Sequence, residues 1–303
     1  MQLCHRRIWS LTKGDIMRNF FMITNAQKDP NWEITHKIVT YLKQNHCVCN
    51  VGEGGQRKSK GLYHYTDADQ IPEDAECIIV LGGDGTLLQA ARDVVHRQLP
   101  LFGINMGTLG YLAEVGKQSI YPALDQLIMG DYEIEERMML KGSVYRKNEL
   151  VGEDIALNDI VIGRDGPLRV IGFKNYVNEE YLNSYNADGI IVSTPTGSTG
   201  YSLSAGGPII SPEARMMMIT PLAAHTLNSR SIILPAEDVI KVELGPGRRQ
   251  AEERGLANFD GDTTISMRTG DKIIIRQSEM STKIVKLNRM SFVEVLRQKL
   301  GSN

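Results

Sequence analysis

The first part of the chain alternates short apolar runs with stretches of helical spacing. The run Cys77 to Leu81 (CIIVL) is apolar at every position, which is typical of a parallel strand that is covered on both faces. A helical pattern follows, in which Leu87, Ala91 and Val94 share one face. The same alternation runs through residues 17–131 and predicts βαβ units, that is, an α/β Rossmann-like domain with a parallel sheet. The predicted strands are residues 20–24, 47–51, 77–81 and 101–105, and the predicted helices end near Asn45, Val95 and Met129.

The pattern changes after Asp131. Strand-like runs joined by turn residues dominate residues 132–285, and helical spacing is nearly absent there. These residues are predicted to form a β-rich domain with sandwich-like packing. At the end of the chain Ser291 as N-cap and Gly301 as C-cap predict a closing helix. That tail, residues 286–303, is expected to join the α/β domain.

Three segments fit neither pattern. Residues 1–16 have no periodicity, and Met17 offers a second start, so we interpret them as an N-terminal extension. Residues 52–61 (GEGGQRKSKG) have the composition of a basic, glycine-rich loop. Residues 211–230 give no clear pattern.

Composition and charge exclude several classes of protein. The 303 residues contain 34 Lys and Arg against 36 Asp and Glu, which argues against a cationic nucleic-acid coat or a membrane-surface protein. No apolar run approaches the roughly 20 residues that span a bilayer. The four cysteines include no C-x-x-C pair. We therefore expect a cytoplasmic protein that binds neither nucleic acid nor membranes.

The first candidate site is residues 82–86 (GGDGT), where an apolar strand meets a helix. Open α/β sheets bind ligands at such strand ends. Gly82, Gly83 and Gly85 allow backbone N–H groups to approach phosphate oxygens closely. Asp84 would repel phosphate unless it serves separately as a general base, a Mg²⁺ ligand or a hydrogen-bond partner of a sugar hydroxyl. The alternative is an ordinary connection in which Asp84 caps the helix.

The second candidate site is the segment at residues 186–210 (NADGIIVSTPTGSTGYSLSAGGPII). Residues 193–204 carry eight hydroxyl groups, more than a turn requires. Such a segment suits a ligand rich in hydroxyls, phosphates and ring nitrogens. The same composition also occurs in flexible surface loops, so composition alone leaves both interpretations open.

The exact strings point to one family. GGDGT resembles a signature shared by NAD kinases, diacylglycerol and sphingosine kinases and, with Ser for Thr, phosphofructokinases. STPTGSTGYSLSAGGPI closely resembles the NAD kinase signature, and ALNDIVIGR and GINMGTLGYLAEV at 103–115 are similar to further segments of that family. No G-x-x-x-x-G-K-[ST] stretch occurs. The resemblance, which runs from Met17 to nearly the end of the chain, is to a bacterial-type ATP-NAD kinase.

The resemblance implies an activity and a set of site residues. In this family ATP phosphorylates the adenosine 2′-hydroxyl of NAD, and the aspartate that corresponds to Asp84 accepts the proton. The implied phosphate loop is Gly82, Gly83, Gly85 and Thr86. The implied NAD-binding residues are Asp84, Gly85, Asn158, Asp159, Arg169, Asn186, Asp188, Thr196, Thr199, Gly200, Tyr201, Ser202, Leu203, Ser204 and Asp262.

Three of these correspondences are less direct. Arg169 can equally be an exposed strand arginine. Asn186 stands where some relatives carry Arg, which leaves the choice between NAD and NADH open. Asp262, in FDGDT, takes the place of a Gln in the family's Asp-Gly-Gln stretch.

The resemblance also implies partners. Mg²⁺ or another divalent cation should enter with ATP, since no protein-only metal cage is visible in the sequence. A homodimer or homotetramer is expected. Two rivals stay open at this point: a lipid kinase of the diacylglycerol or sphingosine type, and a protein that binds NAD without turnover. The residues also leave open whether polyphosphate replaces ATP and whether an effector inhibits the enzyme.

Overall fold

The computed structural model describes residues 15–52, 57–59, 62–64, 66–107, 110–166, 171–225, 229–246, 252–287 and 291–301. Most of the predicted extension at 1–16 lies outside the described residues, and so does Arg169.

The first part of the chain forms a parallel sheet with helices on both faces. Its elements are β1 (Asn19–Thr24), α1 (Glu33–Gln44), β2 (Val48–Val51), β3 (Arg57–Ser59), β4 (Leu62–His64), β5 (Cys77–Gly82), α2 (Asp84–Asp93), β6 (Leu101–Asn105), β7 (Val115–Gly116) and α3 (Ile120–Met129). The strand order is β6-β5-β1-β2, and all three pairings are parallel. This is the predicted α/β arrangement.

Strand β5 lies between β6 and β1 in this sheet, and both of its faces are covered. Ile79 and Leu81 join the core formed with α1 and α3. Ile78 and Val80 join the core beneath α2. Successive side chains of a strand point to opposite faces, so a strand that is buried on both faces must be apolar throughout.

The second part of the chain forms two facing sheets. Its elements are β8 (Glu133–Arg146), β9 (Glu149–Ala156), β10 (Asp159–Arg164), β11 (Ile171–Val177), β12 (Glu180–Ala187), β13 (Gly189–Ser193), α4 (Tyr201–Ser204), β14 (Met216–Leu222), β15 (Ile232–Pro235), β16 (Ile240–Leu244), β17 (Arg254–Phe259), β18 (Thr263–Arg268), β19 (Lys272–Lys286) and α5 (Phe292–Leu300). One sheet has the order β15-β14-β13-β10-β17-β18. Its inner face packs on β8, β11, β16 and β19 through one apolar core, which confirms the sandwich-like packing.

Strand β19 joins the two parts of the chain. It runs antiparallel to β8 over most of its 15 residues, and near its end Ile284 pairs in parallel with Leu101 of β6. The parallel sheet and the second sheet of the sandwich are therefore one 11-stranded sheet. The boundary that the sequence predicts between residues 131 and 132 stays a prediction.

Two sequence interpretations need correction. Residues 52–61 are not a loop throughout, because Arg57–Ser59 pairs with Leu62–His64 as a short antiparallel hairpin. The unclear segment 211–230 contains β14, in which Met217 and Met218 are fully buried. The closing helix is confirmed, and the Ser291 hydroxyl accepts the backbone N–H of Glu294 at 3.3 Å. No helix in the described part of the chain is long and apolar enough to cross a membrane.

Candidate active site

Asp84 begins helix α2 directly after β5, at the carboxyl end of the parallel sheet. Its Oδ2 atom accepts the backbone N–H of Tyr111 at 2.6 Å. Its Oδ1 atom accepts the N–H groups of Leu112 at 3.2 Å and Ala113 at 3.0 Å. These three donors fix the orientation of the carboxylate against the loop that follows β6.

The loop can lie this close to Asp84 because residue 110 is glycine. A Cβ atom at Gly110 would overlap the Asp84 carboxyl group. Helix α5 covers the same loop from outside, where the Lys299 ammonium lies 4.4 Å from the centre of the Tyr111 ring. That distance suits a cation–π interaction. The C-terminal helix therefore packs over the loop that binds Asp84.

The hydroxyl-rich segment packs on the start of β10. Thr194 donates its backbone N–H to the Asn158 carbonyl at 2.9 Å and its hydroxyl to the Leu157 carbonyl at 2.6 Å. A Cβ atom at Gly197 would overlap the Asn158 carbonyl, so only glycine permits this approach. The short 3-10 turn Thr196–Thr199 is thereby held beside Asn158.

A cavity of about 290 Å³, which we call the Asp84 cleft, opens between Asp84 and this turn. Its polar and glycine lining comes from separate parts of the chain: Asp84 and Gly85 of α2, Tyr111 after β6, Arg137 of β8, Asn158 before β10, and Thr196, Thr199 and Gly200 after β13. The structure thus brings together two signatures that lie about 110 residues apart in the sequence.

A second cavity, of about 480 Å³, adjoins the Asp84 cleft at Asn158, which lines both. It lies on the outer face of the six-stranded sheet, where Val161 and Gly163 of β10 point away from the core. Asp159 and Arg164, the first and last residues of β10, also line it. Tyr201 of α4 also lines this cavity.

Buried carboxylates support this end of β10. The fully buried Asp260 accepts the backbone N–H groups of Leu157, Asn158 and Asp159 at 2.7, 2.8 and 3.0 Å. Burial raises the pKa of Asp260 to about 6, against the opposing effects of Arg92 and these three hydrogen bonds. Burial, and after it the charge of Asp260, raises the pKa of Asp159 to about 7. Both shifts follow from taking carboxylates out of water.

Arg92, on the last turn of α2, connects the helix of Asp84 to these carboxylates. Its Nη2 atom lies 2.7 Å from both Asp154 Oδ2 and the Thr263 hydroxyl. Its Nη1 atom donates to the Phe259 carbonyl at 3.0 Å. Its side chain is 9% exposed, so these contacts are shielded from water. The bridge therefore fixes α2 against the sandwich.

Several hydroxyls of the predicted NAD-binding loop bond within the protein. Ser198 donates to the Pro195 carbonyl at 2.6 Å and accepts the N–H of Ile210 at 3.0 Å. Ser202 is buried and bonds the Thr220 hydroxyl at 3.1 Å. These hydroxyl groups therefore shape the loop itself.

Several other predicted NAD-binding residues lie outside the linings of the two cavities. Asp188 lies 3.8 Å from Arg164, a residue of the second cavity. Asp262 lies 3.6 Å from Arg92. Six of the predicted NAD-binding residues that the structure describes line neither cavity: Asp188, Asp262, the buried Ser202, the half-buried Leu203, and the exposed Asn186 and Ser204. The roles of all these residues in substrate binding stay predictions.

The turn at residues 82–86 (GGDGT), which we call the glycine turn, is open to the Asp84 cleft at Gly85. Gly85 is exposed in the Asp84 cleft, and a Cβ atom there would meet nothing within 4 Å. Thr86 is buried instead, and its hydroxyl accepts the Asn25 side-chain amide at 2.9 Å. The ammonium group of Lys28 lies where a side chain at Gly83 would begin.

Sequence reasoning missed Arg137 and Lys28 because a single cation has no diagnostic spacing. Arg137 is 3% exposed. It lies in the strand sequence EERMML, directly before three apolar residues, and this position was the one sequence signal that the arginine is buried. Lys28 follows β1 in an ordinary polar turn.

The chemistry of the donors indicates how a metal ion would be bound here. Among the described residues no group of three or more His, Cys, Asp and Glu side chains is arranged to hold a metal ion. Asp84 is the one carboxylate among the described residues that line the cleft. A divalent cation at this site would therefore take most of its oxygen ligands from phosphates and water, as Mg²⁺ in nucleotide sites commonly does.

Comparison with known proteins identifies the family of this chain. A model described as the ATP-NAD kinase N-terminal domain matches residues 20–132, and one described as the ATP-NAD kinase C-terminal domain matches residues 157–287. The NAD kinase of Lachnospira eligens is 46% identical over 295 residues, covering 94% of this chain and 100% of that protein. The NAD kinase of Agathobacter rectalis is 45% identical over 294 residues, covering 94% and 99%.

Two solved structures share the fold. Yeast NADH kinase complexed with NADH aligns with a TM-score of 0.79 and 21% identity, covering 95% of this chain and 89% of that one. An NAD kinase from Archaeoglobus fulgidus in complex with ATP aligns with a TM-score of 0.73 and 21% identity, covering 94% and 99%. The chain thus shares its fold with an NADH kinase and an NAD kinase. The chain belongs to the ATP-NAD kinase family.

Proposed function

We propose that this protein transfers the γ-phosphoryl group of ATP to the 2′-hydroxyl of the adenosine ribose of NAD, forming NADP and ADP, with Asp84 as proton acceptor. One observation carries the proposal: the Asp84 carboxylate shares a cleft with Asn158 and the Thr196–Thr199 turn. A fixed carboxylate opposite a set of hydrogen-bonding groups is what the activation of a sugar hydroxyl requires.

In the proposed reaction the 2′-oxygen attacks the γ-phosphorus of ATP. The new O–P bond forms as the bond to the β–γ bridging oxygen breaks, and ADP leaves with that oxygen. The hydroxyl proton moves to Asp84 and from there to solvent. Since Asp84 is held by three backbone N–H groups, it need not reorient during the step.

The dinucleotide is proposed to extend past Asn158 from the Asp84 cleft into the second cavity. Asn158 offers a donor and an acceptor at the junction, and Asp159 offers acceptors for ribose hydroxyls. Gly85 leaves the mouth of the cleft open for the phosphate groups of ATP.

Three further parts of the proposal rest on the family resemblance. A divalent cation enters with ATP and neutralises phosphate charge when bound. The protein acts in the cytoplasm. Two or four copies assemble, and a neighbouring copy completes the NAD site.

The test is an assay of the purified full chain with Mg-ATP and NAD, in which NADP is measured by a coupled dehydrogenase. Parallel reactions offer NADH, diacylglycerol and sphingosine as acceptors. Formation of NADP from NAD without lipid phosphorylation supports the proposal. Lipid phosphorylation, or tight NAD binding with no turnover, would establish one of the two rival functions.

A further inference from the structure

Arg137, like Arg92 and Arg164, has a buried N–H group with no hydrogen-bond partner among the described residues, but of these three arginines it is the one that lines the Asp84 cleft. The residue is 3% exposed, and its Nε atom is buried with no hydrogen-bond partner among the described residues. Its Nη1 atom makes a bond of 3.3 Å to the Thr196 hydroxyl. A buried guanidinium ordinarily uses its N–H donors, because an unpaired polar group away from water is costly.

Arg137 belongs to a chain of paired charges. Its Nη2 atom pairs with Glu135 at 2.8 Å. Glu135 is shared, since the Lys286 ammonium lies 3.7 Å from the same carboxylate and also pairs with Glu114. The charges thus alternate in the order Arg137, Glu135, Lys286, Glu114. Arg137 is at the end of this chain, and it lines the Asp84 cleft.

Arg137 is also the one cationic side chain among the described residues that line the cleft. In the transition state of phosphoryl transfer to a hydroxyl, negative charge is spread over the three non-bridging oxygens of the transferred group. A positioned arginine can bind two of these oxygens through Nε and Nη. Asp84 on the opposite part of the lining accepts the proton but cannot stabilise this charge.

We infer that Arg137 binds the phosphoryl group while it is transferred and afterwards as the 2′-phosphate of the product. This inference rests on the proposed function, because it assigns a binding group for the phosphate that the reaction places on NAD. It predicts that Arg137 discriminates NADP from NAD, since the two differ only in that phosphate.

The experiment measures the dissociation constants of NAD and NADP by calorimetry, without ATP, for the parent protein and for Arg137→Met, Arg137→Gln and Arg137→Lys. Loss of a charge-assisted phosphate contact should weaken NADP binding on the order of 10- to 100-fold in the Met and Gln variants. NAD binding should change by less than about 3-fold. The NADP affinity of the Lys variant should lie between that of the parent protein and those of the Met and Gln variants, because lysine keeps the positive charge but lacks the planar guanidinium group.

Arg146→Met is the matched control. Arg146 ends the same strand and pairs with Asp271 at 2.8 Å, outside the residues that line the cleft. Its replacement should leave the ratio of the NADP and NAD dissociation constants unchanged. Thermal unfolding of each variant identifies any that do not fold, and the more conservative Lys and Gln variants then supply the ratio.

Two outcomes overturn the inference. An equal loss of NAD and NADP affinity in the folded Arg137 variants would show that the residue only shapes the cleft. Unchanged affinities for both would remove it from the site. Either result leaves the proposed function standing, which fails separately if the parent protein makes no NADP from Mg-ATP and NAD.

Discussion

Arg92 and Asp260 lie 168 positions apart in the sequence, yet Arg92 Nε is 3.8 Å from Asp260 Oδ2. Arg92 belongs to the helix that Asp84 begins, and Asp260 binds the backbone of Asn158 and Asp159. The pair therefore fixes the proposed proton acceptor relative to the residues that are proposed to hold the ribose.

Replacing Arg92 by Met should destabilise the protein strongly. The change leaves Asp260 buried without its counter-charge, and breaking such a pair from one side costs about 3–5 kcal/mol of unfolding free energy. Urea unfolding measures the effect. Lys37→Met is the control, because its pair with Glu33 is exposed on both sides and should contribute little. Equal effects of the two substitutions would contradict the proposed role of Arg92.

The raised pKa of Asp159 predicts a pH dependence of stability. Its pKa rises from an ordinary 3.8 to about 7, first through burial and then through the charge of Asp260. Between these values the folded protein binds more protons at this group than the unfolded chain does, so its contribution to stability falls as pH rises from about 4 to about 7. Asp159→Asn should reduce the downward slope of unfolding free energy against pH in that window, and the slope that remains includes Asp260, whose pKa is also raised. An unchanged slope would mean that Asp159 titrates normally.

Replacing Asn158 by Ala should mainly weaken the binding of NAD. The side chain lies where the two cavities meet, and the loss of its hydrogen bonds should raise the KM for NAD by about 10-fold while kcat changes less. Asn50→Ala, on the exposed side of β2, is the control. If the KM for NAD stays at the parent value, Asn158 does not contact the dinucleotide.

Lys28→Met should affect ATP and not NAD. The ammonium group of Lys28 lies over Gly83 in the glycine turn, beside the proposed path of the triphosphate. Removing it should raise the KM for ATP by roughly 3- to 10-fold, as expected for an exposed phosphate contact. Lys43→Met, on α1, is the control. A rise in the KM for NAD instead would place Lys28 at the acceptor side.

Most of the fold could be predicted from hydrophobic pattern. Strand β5 is apolar throughout because it is buried on both faces, and the Ser291 cap marks the start of α5. Strand β14 was missed because its apolar run carries Pro221, which usually argues against a strand, and here lies near its end. The short hairpin at Arg57–Ser59 was missed because glycine and basic residues dominate its composition.

The candidate site was predictable where it is built from continuous segments. GGDGT and the hydroxyl-rich segment are local in sequence, and the structure brings both to one cleft. Arg137 and the Arg92–Asp260 pair were not predictable, because their significance depends on contacts between distant strands and helices. The internal hydrogen bonds of Ser198 were not predictable either, because the composition of the segment does not show which hydroxyl groups bond within the loop.

The central claim is that Asp84 accepts the proton of the attacking hydroxyl. Asp84→Asn keeps the size of the side chain and removes its basicity, and Asp125→Asn, which only alters a bond to the Tyr41 hydroxyl, is the control. The most direct test is the single-turnover rate of NADP formation with saturating Mg-ATP and NAD, alongside NAD binding by calorimetry. The account predicts that Asp84→Asn lowers the rate by about 10²- to 10⁴-fold while NAD binding stays measurable. A variant that binds NAD and forms NADP at near the parent rate would contradict it.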